Sequence, residues 1–273
     1  MSATERLQQL ALLELSEARA ALAIASAAMA VDDAGSCGFA YRSLDFGTAL
    51  VASRLDLMVM NRVVGLGVAA RATPAMIDSI FDFYRDSEVR RFAVQVAPDA
   101  LPGEVGEWLA MRGATEGGSW CKLRRTIGPE KFPEVETELR VTLVSREHAP
   151  LFGAVVCAAY GFPEKMREIA AATIGRQGWR HYLAWDGALP VAAGALNVHD
   201  EVAWLGMGCT LPARRGRGAQ SAIIRRRLED ARELGCRLAV TETAGEDVTS
   251  CRNLLRAGFD IAYARVNHLV NTG

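Results

Sequence analysis

The sequence predicts an α/β protein of two similar units, each a mixed, mainly antiparallel sheet flanked by helices. Three observations carry that expectation. The 273 residues are 50% apolar and 23% charged, enough apolar material for two cores. Strand-like segments, of which 139–144 alternates with period two, interleave with segments of helical spacing along the chain. Element order also recurs: Phe92-Ala-Val and Leu238-Ala-Val lie 146 residues apart, and Gly113 and Gly258, each closing a helix before a strand, lie 145 apart. Two independent landmarks at nearly one offset argue for an internal duplication.

The opening residues read as a helix of the folded protein, because Glu5, Arg6 and Glu14 interrupt any leader-like start. The most apolar stretch, 20–31, is too short to span a bilayer. A strand over 57–64 precedes a helix over 73–85 with Pro74 in its first turn. A strand at 92–96, a helix at 103–111 and a strand at 120–127 complete the first half. Gly128, Pro129 and Pro133 then break regular structure, which sets the domains at 1–128 and 136–273. In the second half a strand at 139–144 leads into helices at 148–160 and 163–174. Strands at 181–185, 191–198 and 201–210 form an antiparallel meander. A helix at 218–234, a strand at 237–243, a helix at 249–256 and a strand at 259–270 close the chain.

Composition removes several classes. A mean hydropathy of +0.09 excludes disorder. With 31 basic against 32 acidic residues the net charge is −1, which gives no field for nucleic acid or an anionic membrane. The six cysteines form no C-x-x-C pair and no metal-type spacing with the four histidines, so no metal is expected. They read as core thiols of a reducing, cytoplasmic compartment.

Chemistry concentrates in Gly208-Cys-Thr-Leu-Pro-Ala-Arg-Arg-Gly-Arg-Gly-Ala-Gln-Ser221. A strand ends at Thr210, a loop carries Arg214, Arg215, Gly216, Arg217 and Gly218, and an amphipathic helix follows with Ile224, Leu228, Ala231 and Leu234 on one face. A glycine loop opening a helix gathers unpaired backbone N–H groups at the positive end of the helix dipole, which suits a phosphate or pyrophosphate. Glycine is needed where a Cβ would block that approach. Arg225, Arg226 and Arg227 can reach further phosphates or face water. No G-K-[ST] follows, so this is not a P-loop. The rival glycine pair, Gly65 and Gly67, reads as a small-residue strand end, because Pro74 falls where a dinucleotide-binding helix would have its interior.

At this loop the sequence resembles the GNAT N-acetyltransferase superfamily, whose pyrophosphate loop reads [RQ]-x-x-G-x-[GA]. Arg215-Gly216-Arg217-Gly218-Ala219-Gln220 matches at Arg215 and Gly218 and departs at Gln220, where the amide N–H survives. The resemblance runs over 139–270 and includes the closing Leu254-Leu-Arg-Ala-Gly-Phe259. The first half resembles the later part of the same fold, but Val68-Ala-Ala-Arg-Ala-Thr-Pro74 lacks the loop glycines, so it looks like a degenerate copy. The resemblance implies acetyl-CoA or a related acyl-CoA as co-substrate, an amine of a small molecule as acceptor, and direct transfer by a monomer or homodimer. It implies that Gly208, Cys209 and Thr210 pair with the pantetheine amides as a strand edge would and that Arg215 to Gln220 hold the pyrophosphate; Asn253 either touches the cofactor or lies on a solvated helix face.

Direct transfer to an amine needs a base, a stabilised thioester oxygen and a proton for the leaving sulfur. Glu242 interrupts the apolar run Leu238-Ala-Val-Thr-Glu-Thr243 and occupies the place of the Glu in the L-E-V-R strand of the ribosomal-protein N-terminal acetyltransferases, which implies a base. The tyrosine acid of that pattern falls at Leu254, so Ser250 is the first substitute and Tyr263 the second. Tyr160, Phe162 and Met166 lie in the segment that covers the acceptor in this family. Cys209 has no partnered base and reads as a core thiol. Two other readings stand beside the enzyme: a CoA-binding module without turnover, and a nucleic-acid patch on the arginines, which neutral net charge and the lack of interleaved aromatics disfavour.

Overall fold

In the computed structural model, which describes residues 3–32, 35–44 and 47–272, these periodicities become seven α-helices and eleven strands among the described residues. The chain runs through α1 (Ala3–Val31), β1 (Phe39–Leu44), β2 (Gly47–Ala52), β3 (Arg62–Val64), α2 (Pro74–Asp86), β4 (Arg91–Val96), α3 (Val105–Ala110) and β5 (Thr115–Thr126). It continues through β6 (Arg140–Leu143), α4 (Ala149–Tyr160), α5 (Arg167–Ala171), β7 (Trp179–Asp186), β8 (Leu189–His199), β9 (Val202–Thr210), α6 (Ala219–Glu233), β10 (Leu238–Thr243), α7 (Thr249–Arg256) and β11 (Asp260–Asn271). Contacts divide it into two units, Met1–Lys122 with Ala262–Gly273, and Leu123–Ile261. Residues 262–273, placed in the second half by the sequence boundary, group with the first.

In the first unit the strands lie in the order β1-β2-β3-β4-β11, followed by the first residues of β5. β3 and β4 are parallel and the pairs β1–β2, β2–β3 and β4–β11 antiparallel. The sequence did not announce the β1–β2 hairpin, because all six residues of β2 are buried and a strand covered on both faces does not alternate. The strand expected at 57–64 shrinks to 62–64: Met60 N–H donates to Leu57 O at 2.9 Å, and buried Asn61 caps the bend by donating to Leu55 O at 2.9 Å and accepting from Ala52 N–H at 2.7 Å. α2 opens as its residues dictate. Thr73 Oγ1 accepts from Met76 N–H at 3.2 Å, and Ile77, Ile80 and Tyr84 bury one face. Tyr84 stacks on Phe92 at 3.9 Å and donates its hydroxyl to Leu50 O at 2.8 Å. Gly65 and Gly67 form a turn against Leu101, whose N–H donates to Gly67 O at 2.7 Å.

α1 brings two carboxylates into this unit. Glu14 and Glu17 are fully buried. Lys122 Nζ and Arg265 Nη1 donate to Glu17 Oε2 at 2.5 and 2.7 Å, and Arg62 Nη1 lies 2.9 Å from Glu17 Oε1. Tyr263 donates its hydroxyl to Glu14 Oε1 at 2.7 Å, and Arg265 Nη1 to Glu14 Oε2 at 3.3 Å.

In the second unit the order is β10-β9-β8-β7-β6, with 123–126 of β5 beyond β10. β6 to β9 form the expected antiparallel meander, and β10 lies parallel to β9. Alternation sends Leu183, Ala193 and Cys209 to one face, where α4 packs Phe152, Val155 and Val156 on them. Tyr182 points to the other face and donates to Asp230 Oδ2 of α6 at 2.7 Å.

His181 sits inside this core with Nε2 3.0 Å from Thr173 Oγ1 and the Phe152 ring edge-on at 4.9 Å. Burial lowers its pKa to about 4. The folded state therefore resists protonation while the unfolded chain accepts it near pH 6.5. The stability His181 lends is whole above pH 6.5 and is lost as pH falls from 6.5 to 4, about 2 kcal/mol of it by pH 5. Denaturant titrations at pH 7 and pH 5 should show a smaller loss for His181→Gln than for the wild type; equal losses would mean that His181 does not stay neutral.

Candidate active site

The second unit opens its sheet where β9 and β10 part. Their parallel register covers only Leu238↔Val202, Ala239↔Ala203 and Val240↔Trp204. Thr241 Oγ1 then donates to Leu205 O at 2.7 Å and ends the pairing. β9 bends there because it carries a bulge. Ala195 pairs with Gly206 and Ala193 with Cys209, so Met207 and Gly208 together face Gly194, and Met207 holds a φ of +52°. An extra residue on one strand kinks it away from its neighbour. Gly206 is required: a Cβ there would lie 1.8 Å from Trp204 Cη2, since the indole lies across it. The backbone of 206–210 on one side and of 242–243 on the other is left as two open strand edges.

Glu242 stands two residues past the last rung, half-buried, and its Oε2 accepts from Trp204 Nε1 at 3.1 Å. Tyr160, the last residue of α4, donates its hydroxyl to Gly208 O at 3.0 Å and stacks on Phe162 at 5.2 Å. Burial of the hydroxyl end and the neighbouring Cys209 push its phenol well above the usual tyrosine range. Burial also pushes the Cys209 thiol up to about 12, which keeps it protonated and inert.

At the end of β9 a short turn at Pro212–Arg214 leads to Gly216 and Gly218, both with φ of +79°. No side chain caps α6. Its first helical bond runs from Ala222 N–H to Gly218 O at 2.9 Å, so the amides of Ala219, Gln220 and Ser221 have no helical acceptor. A glycine-lined, uncapped helix start is the local geometry that the loop residues predict, and such free amides suit an anion. The equivalent helix of the first unit is built the other way, since Thr73 caps it and Pro74 removes an N–H. Charge on the loop is unevenly free. Arg217 is bidentate on Asp186, and Arg214 Nη1 reaches Asp186 Oδ2 at 3.3 Å. Arg215 is exposed and makes no ion pair with the described residues. A cavity of about 250 Å³ lies between this loop and 136–139, bounded by Thr137, Gly216 and Gly218 among others. Thr137 Oγ1 donates to Arg217 O at 2.8 Å and ties the two segments together.

The structure thus gathers Gly208, Cys209, Thr210 and Glu242 at the opening and Arg215 to Gln220 at the helix start. Asn253 joins the latter, donating to Gln220 Oε1 at 2.7 Å. Ser250 lies in the first turn of α7, half-buried; the helix N-cap is Val248. Tyr263 falls in the first unit and donates its hydroxyl to Glu14 Oε1, and burial and Glu14 hold its phenol far above the usual tyrosine range. Arg225, Arg226 and Arg227 neither reach toward phosphates as a group nor share a solvated face: the first two pair with Glu229 and Asp230, and Arg227 is buried. Sequence reasoning named Arg227 but missed its burial, and gave Trp204 no role. For Arg227 a signal existed, because its position, three after Ile224 and four before Ala231, lies on the apolar stripe. Among the described residues no group of three or more His, Cys, Asp or Glu is placed to hold a metal ion, and no helix is long and apolar enough to cross a membrane.

No family model and no curated protein matches the sequence. Solved structures do. A GCN5-related N-acetyltransferase from Kribbella flavida is similar with a TM-score of 0.64 at 20% identity, over 94% of this chain and 95% of that one. A tandem GNAT protein from the clavulanic acid biosynthesis pathway gives 0.56 at 16% identity over 94% and 96%. A GCN5-related N-acetyltransferase from Sphaerobacter thermophilus gives 0.59 at 13% identity over 77% and 72%. The chain has the GNAT fold in tandem arrangement.

Proposed function

We propose that the second unit is an acyl-CoA-dependent N-acyltransferase that moves an acetyl group directly from acetyl-CoA to an amine of a small molecule. One observation carries this reading: β9 and β10 part to leave two open strand edges, and β9 leads straight into the uncapped, glycine-lined start of α6. The residues suit the co-substrate. The open edge at 206–210 supplies amides and carbonyls for pantetheine, the amides of 219–221 suit a pyrophosphate, and Arg215 adds charge at the mouth. Gly216 has open space around its Cα, so a phosphate can approach its backbone.

When bound, the thioester supplies an activated acyl carbon. The C–S bond breaks as the C–N bond forms, the amine gives up one proton and the sulfur gains one. Glu242 is the residue assigned to take the amine proton, held in place by Trp204. Ser250 on α7 and the Tyr160 hydroxyl are the groups assigned to the sulfur side. The same reading takes no nucleic acid or membrane as partner, a monomer or homodimer as the working form, and the cytoplasm as compartment, which six free, buried thiols support.

The loop assignment is tested by calorimetry with acetyl-CoA. Arg215→Ala combined with Gly216→Asp removes the exposed cation and puts a carboxylate in the cradle. The added Cβ meets no neighbouring atom, but the φ of +79° strains any residue other than glycine, so circular dichroism first establishes that the variant folds. Affinity should fall at least about tenfold, ~1.4 kcal/mol. A double variant that folds and binds acetyl-CoA as the wild type does would overturn the assignment.

A further inference from the structure

Arg227 is a buried cation at the opening, and its partners are neutral. It is 3% exposed and makes no ion pair with the described residues. Its Nη1 donates to Ala195 O and to Gly206 O, both at 3.1 Å, and its Nε to Ile223 O at 3.3 Å. The nearby carboxylate of Asp230 is already taken by Arg180, Arg226 and Tyr182. Gly194 and Gly208 border the guanidinium. A Cβ at Gly194 would lie 3.3 Å from Arg227 Cζ, one at Gly208 would lie 3.5 Å from Nη2, and Gly206 offers its carbonyl. Burying a charge without a counter-ion is costly and persists only where something else compensates it.

The two carbonyls that Arg227 holds, Ala195 on β8 and Gly206 on β9, belong to the rung next to the bulge. In a trans peptide the N–H points opposite to the C=O, so the Met207 N–H is directed away from the guanidinium and is polarised by it. The ionisable groups facing Arg227 are Tyr182 of β7, Tyr160 of α4 and Cys209 of β9; Cys157 of α4 neighbours Cys209, and Glu242 of β10 neighbours Tyr160. Burial keeps Tyr182, Tyr160 and Cys209 protonated. These three therefore do not cancel the positive field at the bulge, and Glu242 is the one carboxyl group in this set.

We infer that Arg227 is a positioning residue for acyl transfer: it pins the β9 bulge through Ala195 and Gly206, and its charge favours negative charge on the sulfur that leaves at the opening between β9 and β10. This rests on the proposed function. It predicts that bound CoA ionises its thiol at a lower pH than free CoA does. The test is calorimetry of CoA and of acetyl-CoA, which has no thiol, between pH 6 and 9. In the wild type the affinity for CoA relative to acetyl-CoA should rise at least about tenfold with pH as the thiol, with an ordinary pKa near ~8.5, is drawn into its ionised form. Arg227→Met, and Arg227→Gln, which keeps a donor for the carbonyls but not the charge, should flatten that ratio while acetyl-CoA still binds.

The outcomes separate the two claims. If neither ligand binds the wild type, the acyl-CoA reading fails. If acetyl-CoA binds and the ratio is flat in the wild type, or rises equally in a folded Arg227 variant, the role of Arg227 is overturned. Circular dichroism establishes which variants fold, and the wild-type ratio decides if neither does.

Discussion

Glu17→Gln should lower the stability of the protein by about 3–5 kcal/mol, the usual effect of removing one member of a buried ion cluster. The side chain keeps its volume, so no cavity accounts for the loss. Burial alone would raise the pKa of Glu17, yet Arg265, Lys122 and Arg62 hold it well below the ordinary carboxylate range. In the variant those cations, all buried, lose the carboxylate they share. Wild-type Glu17 is ionised in the fold wherever the unfolded chain is, so its contribution is whole above about pH 4.5 and falls away in acid. Thermal unfolding at pH 7 should show the midpoint lowered by on the order of 10 °C. A drop of less than ~1 kcal/mol would show that the cluster contributes little. Replacing Glu17, Lys122 and Arg265 together by Met or Leu should recover part of the loss, because well-packed apolar groups are often as stable as a buried ion pair.

That cluster marks what the sequence could not display. Glu14 and Glu17 sit in an alanine-rich helix as if on its solvated side, and their partners are 45 to 251 residues away along the chain. Local pattern reports the residues that bury a face by periodicity. It does not report charges brought together by tertiary contact. The meander, the loop and the last two helices of the second unit were legible because each had its own local signal: short apolar runs punctuated by polar turns such as Asp186-Gly187 in β7 to β9, glycines closing α6 and α7, and a glycine pair at a helix start. The candidate site was legible to the same extent. Its loop and the strand residue Glu242 stood out as departures from a local pattern. The bulge at Met207, the indole across Gly206 and the guanidinium of Arg227 depend on how three elements meet, and only the last left a trace, as a cation on an apolar stripe. β2 shows the opposite failure, where complete burial erased the alternation that would have revealed it.

Glu242→Gln should cut acetyl transfer from acetyl-CoA to responsive primary amines by about 10²- to 10⁴-fold while leaving acetyl-CoA affinity unchanged. Gln is isosteric and its carbonyl still accepts from Trp204 Nε1, so the indole and the glycine beneath it keep their places. The proposed pyrophosphate cradle at 216–221 would draw on backbone amides and Arg215, whereas the carboxylate of Glu242 bonds to Trp204. Loss of turnover with retained binding therefore isolates proton removal from the amine. The same pair of measurements separates the enzyme from a carrier-binding module. A module would bind acetyl-CoA through the cradle yet acetylate no amine in either form, whereas an enzyme with its base elsewhere would turn over equally in both.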